Sequence, residues 1–279
     1  MSNEFSKEQL VDLYDEHGSV SAVARELGAS YKSVASAMRR FGIEYSKSPR
    51  KYTVNHTFFS SVNDSEASFY WAGFLAANGN VATHSGKDRT YRIFVNMSIR
   101  DKPYLKKMAE AMGSDVPVYE RWVKYKNKPY LVSRVLINSK YLIEDLSRFN
   151  VLPRKTYTYK MPLWLLNHSM VRHFLRGWVD GKGGIYQKTE TKRVFRTSGT
   201  TEFLEQFKDV VSANVGLYEH DRPVVPTTKT MGRIEYIEDR DISAISHWLY
   251  DHATHCLDWK RDVALFGAPL QDEDFQSEG

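Results

Sequence analysis

Two segments of this sequence resemble each other, and that repeat restricts the fold more than any other feature. Residues 66–81 read EASFYWAGFLAANGNV and residues 170–185 read MVRHFLRGWVDGKGGI, which aligns Gly73 with Gly177, 104 positions later. Each segment is a short apolar helix pattern that ends in glycine and continues as a strand pattern. The chain is therefore expected to contain one structural unit twice.

The residues after each segment also follow a common order. After the first, the pattern predicts a strand at 91–99, a helix at 104–112, a hairpin with strands at 116–125 and 130–137, and a helix at 140–149. After the second, it predicts a strand at 193–198, a helix at 201–215, a hairpin through Gly232 at 224–238, and a helix at 242–250. Two αββαββα units related by a pseudo-two-fold axis follow, each with an antiparallel sheet of about four strands.

The first 43 residues follow a different pattern, with helices expected at 7–17, 20–27 and 31–41. Ala24, Gly28 and Val34 are the fifth, ninth and fifteenth residues counted from Val20, a spacing that resembles the helix-turn-helix of DNA-binding proteins. The alanine permits close helix approach, the glycine forms the turn and the valine seals the angle. A three-helix packing module without DNA contacts remains the alternative.

If the third helix enters the major groove, its outward side chains become candidate DNA contacts. They are Tyr31, Lys32, Ser33, Ser36, Arg39 and Arg40. The basic segment 44–57 reads as a linker, in which Lys47, Arg50 and Lys51 could follow a phosphate backbone or serve as a solvated tether.

Charge and composition narrow the class of partner. The 279 residues carry a net charge of +5, and the acidic end QDEDFQSEG leaves +9 on the rest, which favours a polyanion. Cys256 is the sole cysteine, which excludes a disulfide framework and a cysteine-based zinc site. Because the sequence has no apolar run near the roughly 20 residues that span a bilayer and no signal-peptide core, we expect an intracellular protein without a membrane partner.

The repeated segments carry a family resemblance. WAGFLAANG at 71–79 and LRGWVDGKG at 175–183 resemble two copies of the LAGLIDADG signature, and NVLPRKT at 150–156 and SGTTEFL at 198–204 are similar to further segments of that family. The resemblance spans about residues 52–265 and is strongest to the single-chain homing endonucleases. It implies an α+β fold of two pseudo-symmetric αββαββα units with saddle-shaped sheets, to which the chain adds a small all-α helix-turn-helix domain.

This interpretation divides the chain into five parts. They are a helix-turn-helix domain at 1–43, a basic linker at 44–57, a first repeat at 58–160, a second repeat at 161–267 and an acidic tail at 268–279. The resemblance implies that the two motif helices pack at the pseudo-dyad, where Gly73 and Gly177 would permit close approach. It also implies a monomer that binds double-stranded DNA.

In the family, the saddle-shaped sheets lie in the major groove, where alternate side chains of extended strands can contact base edges. Most basic side chains are expected to contact phosphates instead. The candidates are Arg92, Arg121, Lys124, Lys126, Arg134, Lys188, Lys192, Arg193, Arg196, Lys229 and Arg233.

The catalytic positions depart from the family pattern. The eighth motif residue is normally acidic, and the two acids hold divalent cations, usually Mg²⁺, near the scissile phosphates. Here these positions are Asn78 and Lys182. Asn78 loses the charge and protonated Lys182 has no lone pair, so we predict that DNA binding survives and cleavage is absent or severely weakened. Rescue by Asp180 is disfavoured, because residues two apart on a helix point about 200° apart.

Two other functions remain open. The same fold could serve a transcriptional regulator that binds an operator, or an RNA maturase that assists a group I intron. The helix-turn-helix favours duplex DNA over RNA, because A-form RNA hides its major groove. A metal site at His252, His255 and Cys256 is disfavoured relative to structural roles, since no partner cluster exists elsewhere.

Overall fold

The computed structural model describes residues 5–17, 20–43, 45, 52–84, 90–125, 128–189, 192–218 and 222–267. The chain divides into two compact units, Met1–Thr53 and Val54–Gly279. The acidic tail and most of the basic linker, including Lys47, Arg50 and Lys51, lie outside the described residues. Within the described residues, no helix is both long enough and apolar enough to cross a membrane.

The N-terminal unit contains three helices, α1 (Lys7–His17), α2 (Val20–Glu26) and α3 (Tyr31–Arg40). Its small core includes Leu10, Val23 and Val34, all without solvent exposure. Three amphipathic helices that meet around such a core can bury only a modest apolar area, which is typical of a small domain.

The turn between α2 and α3 has the geometry that its sequence predicts. Gly28 has φ of +58°, in the left-handed region where glycine is favoured at a helix end. Ser30 then caps α3, its Oγ accepting from the backbone N–H of Ser33 at 3.1 Å.

The first repeat of the larger unit follows the predicted order. Its elements are α4 (Glu66–Asn78), β1 (Asn80–His84), β2 (Thr90–Ser98), α5 (Lys102–Ala111), β3 (Tyr119–Tyr125), β4 (Lys128–Asn138) and α6 (Lys140–Leu146). Helix α6 is shorter than the predicted helix at 140–149. Its last turn is a 3₁₀ helix at Ser147–Phe149, which stops at Asn150 in the left-handed region.

The second repeat begins with a short helix, α7 (Leu163–Leu166). The remaining elements are α8 (Val171–Lys182), β5 (Gly183–Thr189), β6 (Lys192–Thr200), α9 (Thr201–Asn214), β7 (Val225–Pro226), β8 (Met231–Tyr236), α10 (Asp239–Tyr250) and α11 (Asp258–Phe266).

The predicted position of the second hairpin turn was wrong. Gly232 lies inside β8, while the reversal is made by the polar residues before Met231, where Thr228 N–H donates to the Met231 carbonyl at 3.1 Å. Packing explains this glycine, because a Cβ there would come within 3.0 Å of Val224 Cγ1. The strand pattern agrees with the structure, but Gly232 is a close-packing residue within a strand and not the turn.

Each repeat forms one four-stranded antiparallel sheet, with orders β1-β2-β4-β3 and β5-β6-β8-β7. The identical orders confirm the predicted α+β fold of two pseudo-symmetric units. One face of each sheet carries the core, with Val95 and Val135 buried in the first sheet, and Thr197 and Ile234 at the matching positions of the second. The opposite face is called the outer face below.

Candidate functional site

The motif helices α4 and α8 pack so closely that their glycines contact backbone. A Cβ at Gly73 would lie 1.9 Å from the carbonyl oxygen of Phe174, and a Cβ at Gly177 would lie 2.0 Å from that of Tyr70. Both distances are far below any van der Waals contact, so only glycine fits at either position. Because the two contacts are equivalent, the helices pack side by side.

This packing brings the C-terminal ends of the two helices together. A Cβ at Gly181 would lie 2.6 Å from Ala77 Cβ and 3.5 Å from Asn78 Cβ. Asn78 and Lys182 are each the last residue of their helix, and both are half-buried. The two substituted motif positions therefore occupy neighbouring helix ends.

Two buried lysines that the sequence analysis did not single out also converge on these ends. Lys155 Nζ donates to the carbonyl of Gly79, just after α4. Lys260 Nζ donates to the carbonyl of Asp180 at 3.0 Å and that of Gly183 at 2.5 Å, at the end of α8. Ammonium groups at helix C-termini neutralise the carbonyls left without intrahelical partners.

The two lysines lie at similar but unequal distances from the ends of the motif helices. Lys155 lies 76 residues after Gly79, and Lys260 lies 77 residues after Gly183. The alignment of Gly73 with Gly177 therefore pairs Lys155 with Trp259 rather than with Lys260, and neither lysine belongs to the nonapeptide motifs.

Burial and mutual repulsion disfavour the protonated forms of the lysines at the two helix ends. Burial lowers the pKa of Lys155 to about 8, and the nearby Lys182 ammonium contributes in the same direction. Burial also lowers the pKa of Lys182. Lys182 Nζ lies 5.8 Å from the centroid of the Trp178 ring and, among the described residues, makes no hydrogen bond. Lys182 is thus the lysine of the three that is not already bonded to a backbone carbonyl.

The donor set at the helix ends does not fit Mg²⁺. This ion requires several oxygen ligands, usually with carboxylates among them. Asn78 offers one neutral oxygen, Lys182 offers none, and the carbonyls of Gly79 and Gly183 already accept from the two buried lysines. Among the described residues, no group of three or more His, Cys, Asp or Glu side chains could hold a metal ion, including those around His252, His255 and Cys256.

Asp180 is fully occupied by other partners. Its carboxylate accepts from the hydroxyls of Tyr70 and Tyr250, each at 2.6 Å, and from the backbone N–H of Leu257 at 2.7 Å. The side chain is 2 % exposed, and burial raises the pKa of its carboxyl group. This arrangement gives Asp180 a structural contact with α4, α10 and the segment before α11.

A second polar cluster surrounds Arg176 on the same helix. Its guanidinium has no solvent exposure, donates to Glu66 Oε1 at 2.6 Å, and donates to the carbonyls of Leu249 and His255 at 3.0 and 2.8 Å. Burial, followed by Arg176 itself, lowers the pKa of the adjacent His173 to about 4, so this imidazole is neutral near pH 7. The cluster ties α8 to the C-terminal segment.

The outer face of the first sheet carries three of the predicted basic residues. Arg92 pairs with Asn138, Arg134 pairs with Asn96 and Tyr119, and Arg121 pairs with Val132, so all three alternate with the core residues. Lys124 does not share this face, because its register with Pro129 puts it on the opposite side of β3. Lys126 lies outside the described residues.

The second sheet presents Arg196 and Arg233 on its outer face, with Glu235 between them. Lys192 is exposed at the start of β6, and Lys229 is exposed in the turn before β8. Arg193 Nη2 lies 3.7 Å from Asp239 Oδ1. Lys188 is in β5, but its side chain lies outside the described residues.

In the N-terminal unit, the six predicted contact residues share one exposed face of α3. Tyr31, Lys32, Ser33, Ser36, Arg39 and Arg40 are exposed, and they alternate with buried positions such as Val34 and Met38. Their role in DNA contact stays a prediction.

Comparisons with known proteins identify the fold. No family model matches the chain, and a search of curated proteins found no match. Among solved structures, the homing endonuclease I-WcaI bound to its DNA recognition sequence matches at 13% identity and a TM-score of 0.50, covering 72% of this chain and 86% of that one.

Two further structures match at lower TM-scores. I-DmoI in complex with DNA and Ca has 14% identity, a TM-score of 0.44, and covers 66% of this chain and 89% of its own. The LAGLIDADG meganuclease I-AabMI bound to uncleaved DNA has 11% identity, a TM-score of 0.44, and covers 70% of this chain and 87% of its own.

The repeated sheet order, the glycine-mediated helix pair and the match to I-WcaI agree with one another. This chain has the fold of the LAGLIDADG homing endonucleases.

Proposed function

We propose that this chain binds a specific double-stranded DNA through its two sheets and its α3 helix, as a monomer, and does not cleave it with metal. The single observation that carries the proposal is the helix-end cluster: Asn78, Lys182 and the two buried lysines stand where this fold would need paired acids. The structural neighbour I-WcaI is bound to its DNA recognition sequence, which supports DNA as the partner.

The lysine cluster suits a phosphate better than a cation. A phosphate between the helix ends would meet the Lys182 ammonium, which has no hydrogen-bond partner among the described residues. Contact with an anion favours the protonated form of Lys182 and offsets the effect of burial on its pKa. In this way the lysine supplies the charge neutralisation that Mg²⁺ supplies in an active relative, but it activates no water.

The experiment compares this chain with its Asn78→Asp/Lys182→Asp double variant. Each protein selects from a random duplex library without divalent metal, and the bound pool is then exposed to Mg²⁺. We expect the unmodified chain to select one long sequence and leave it intact. Strand cleavage by the unmodified chain would contradict the proposal, since an acid outside the two motif positions would then carry the chemistry.

The double variant also tests whether DNA affinity depends on Mg²⁺. Its pair of carboxylates should repel each other without metal, so at matched ionic strength its affinity should rise when Mg²⁺ replaces monovalent salt, whereas that of the unmodified chain should not rise. A matched control, Lys160→Asp, changes charge at an exposed lysine paired with Glu202 and should leave the metal response unchanged.

The N-terminal unit is tested separately with Arg39→Ala/Arg40→Ala. The logarithm of the affinity falls as the logarithm of the salt concentration rises. If α3 contacts phosphates, the two substitutions should make this slope less negative by about 2. Lys7→Ala/Arg25→Ala removes the same charge from α1 and α2 and serves as the control. Equal behaviour of the two variants would show that α3 does not contact the duplex.

A transcriptional regulator is the second candidate, favoured by the same cluster, because operator binding requires no metal. An RNA maturase is distinguished by competition: double-stranded RNA should compete roughly a thousandfold less well than the selected DNA, because its A-form major groove is inaccessible to side chains. Effective competition by RNA would overturn the assignment of DNA as partner.

A further inference from the structure

The two sheets have the same register at their centres, so their outer faces can be compared residue by residue. In the first sheet, the row next to the end of α4 contains Asn80, Phe94 and Leu136, paired in that order. Phe94 and Leu136 are both half-buried, and they form an apolar centre on this face. The Arg134 guanidinium packs over the Phe94 ring at 4.7 Å.

Arg134 is further held by its neighbour on the same strand pair. Its Nε donates to Asn96 Oδ1 at 2.6 Å. The arginine therefore covers one side of the apolar pair and holds the ring in place. Arg134 lies on the adjacent row, at the position equivalent to Arg233 of the second sheet, so Phe94 and Leu136 themselves offer van der Waals contact and no side-chain hydrogen-bond donor.

The equivalent row of the second sheet is ionic. Next to the end of α8, Gly184 pairs with Arg196, which pairs with Glu235. Arg196 Nε donates to Glu235 Oε1 at 2.8 Å, and Arg233 Nε lies 3.1 Å from the same oxygen. The terminal nitrogens of Arg196 make no hydrogen bond with the described residues, while its guanidinium also packs over Tyr186 at 5.6 Å.

These two surfaces suit different base edges. A fixed guanidinium with free terminal nitrogens matches the O6 and N7 acceptors of guanine in the major groove, and apolar side chains match the C5-methyl group of thymine. Glu235 restricts the guanidinium to one orientation, which lowers the entropy lost on binding.

We propose that the chain selects an asymmetric duplex, with thymine facing Phe94 and Leu136 in one half and guanine facing Arg196 in the other. The proposal rests on the proposed function, because it requires the outer faces of the sheets to lie in the major groove. It adds the base class that each half of the site takes, and it assigns Glu235 as a positioning residue for Arg196.

The test uses single-atom changes in the selected duplex. Replacing each thymine in turn by uracil removes only the C5-methyl group, and replacing each guanine by 7-deazaguanine removes only the N7 acceptor. Because one buried methyl contributes roughly 0.8 kcal/mol, the critical uracil should weaken binding about fourfold. The critical 7-deazaguanine should weaken it about fivefold or more, and it should lie in the other half.

Protein variants assign each effect to a sheet. Phe94→Ala should abolish the uracil effect and keep the 7-deazaguanine effect. Arg196→Lys keeps the charge but loses the two-pronged geometry, so it should abolish the 7-deazaguanine effect alone. Glu235→Gln should weaken that effect without removing it. Arg240→Lys changes an exposed arginine on α10 and serves as the control.

The failures of the two proposals are distinguishable. If no duplex is selected at all, the proposed function fails and this inference fails with it. If one long duplex is selected but both halves respond alike to uracil and 7-deazaguanine, only the inference is overturned. It is also overturned if Phe94→Ala, with an unchanged thermal unfolding midpoint, leaves every uracil effect in place.

Discussion

The two motif helices share a backbone arrangement but differ in side-chain chemistry. The buried positions of α4 carry no charged residue, whereas those of α8 include Arg176 and Asp180. The end of the first repeat is held to α4 by an aromatic contact, with the Phe69 and Phe149 ring centroids 5.3 Å apart. The end of the second repeat is held to α8 by two hydrogen bonds: Asp180 accepts from the backbone N–H of Leu257, and Arg176 donates to the carbonyl of His255.

The symmetry of the fold therefore depends on the close approach of the two helix backbones rather than on matching side chains. The glycine contacts between α4 and α8 are nearly identical in both directions. Each repeat then secures its own C-terminal segment with whatever side chains its sequence provides. The close contacts are at Gly73 and Gly177 and not at the helix-end residues Asn78 and Lys182, so the packing of α4 and α8 does not require a carboxylate at either helix end.

The largest expected effect is at Asp180, the buried carboxylate of α8. Asp180→Ala leaves two buried tyrosine hydroxyls and one backbone N–H without their acceptor, so we expect a loss of about 3–5 kcal/mol in the free energy of unfolding. Denaturant unfolding measures it. Asp180→Asn keeps one carbonyl acceptor and should lose less. Similar stability of both variants and the unmodified chain would contradict a structural role for this carboxylate.

The close packing of the α4 and α8 backbones is tested by Gly73→Ala and Gly177→Ala. Each added methyl group would overlap a backbone carbonyl, which cannot rotate away as a side chain can, so each should cost about 3 kcal/mol. Calorimetry should find equal losses at the two positions. Gly216→Ala meets nothing within 4 Å and should be neutral. Unequal losses would show that the two helices are not packed symmetrically.

A smaller effect is expected at the helix ends, and it depends on pH. The pKa of Lys155 is lowered from 10.5 to about 8 in the folded chain. Between these two pH values the unfolded chain therefore binds more protons at this residue than the folded chain does. The stability of the unmodified chain should therefore rise relative to Lys155→Met by about 2 kcal/mol from pH 7 to pH 10. Urea unfolding at both pH values gives the difference.

The control for this pH profile is Lys160→Met, which removes an exposed lysine paired with Glu202. Its stability should follow that of the unmodified chain within about 0.5 kcal/mol at both pH values. A parallel pH profile for Lys155→Met would mean that this lysine is not desolvated.

The smallest expected effect separates the N-terminal ends of the two helices. Ser65 caps α4 and forms a capping box with Ser68, whereas Met170 precedes α8 without a side-chain cap. Ser65→Ala should therefore cost about 1 kcal/mol in thermal unfolding. Ser65→Asp should restore most of that loss, since aspartate also accepts from the helix N-terminus. Unchanged stability in Ser65→Ala would mean that the cap is replaced by water.

Much of the fold was predictable because the relevant signals are local. The order of helices and strands in both repeats and the four-stranded sheets follow from periodicity and the glycine-ended motifs. The turn of the second hairpin is not predictable from Gly232, because glycine occurs both in turns and at close-packed positions, and only the contact with Val224 distinguishes the two. Helix α11 is not among the predicted elements.

The candidate site was predictable only in its motif positions. Asn78 and Lys182 follow from the alignment of the two nonapeptides. Lys155 and Lys260 carry no local pattern that marks them as buried, and a lysine is exposed in most proteins. Their role emerges only when the end of each repeat folds back onto its own motif helix.

The repeat, the glycine positions and the presence of Asn78 and Lys182 at the eighth motif positions can be read from the sequence, since each depends on neighbouring residues. Tertiary structure alone decided which side chains meet at the helix ends and which face each strand residue occupies. Asp180 and Tyr70 are 110 residues apart, and Arg196 and Glu235 are 39 apart. Such pairings depend on helix packing and strand register, and a shift of one residue would turn each side chain of a strand to the opposite face.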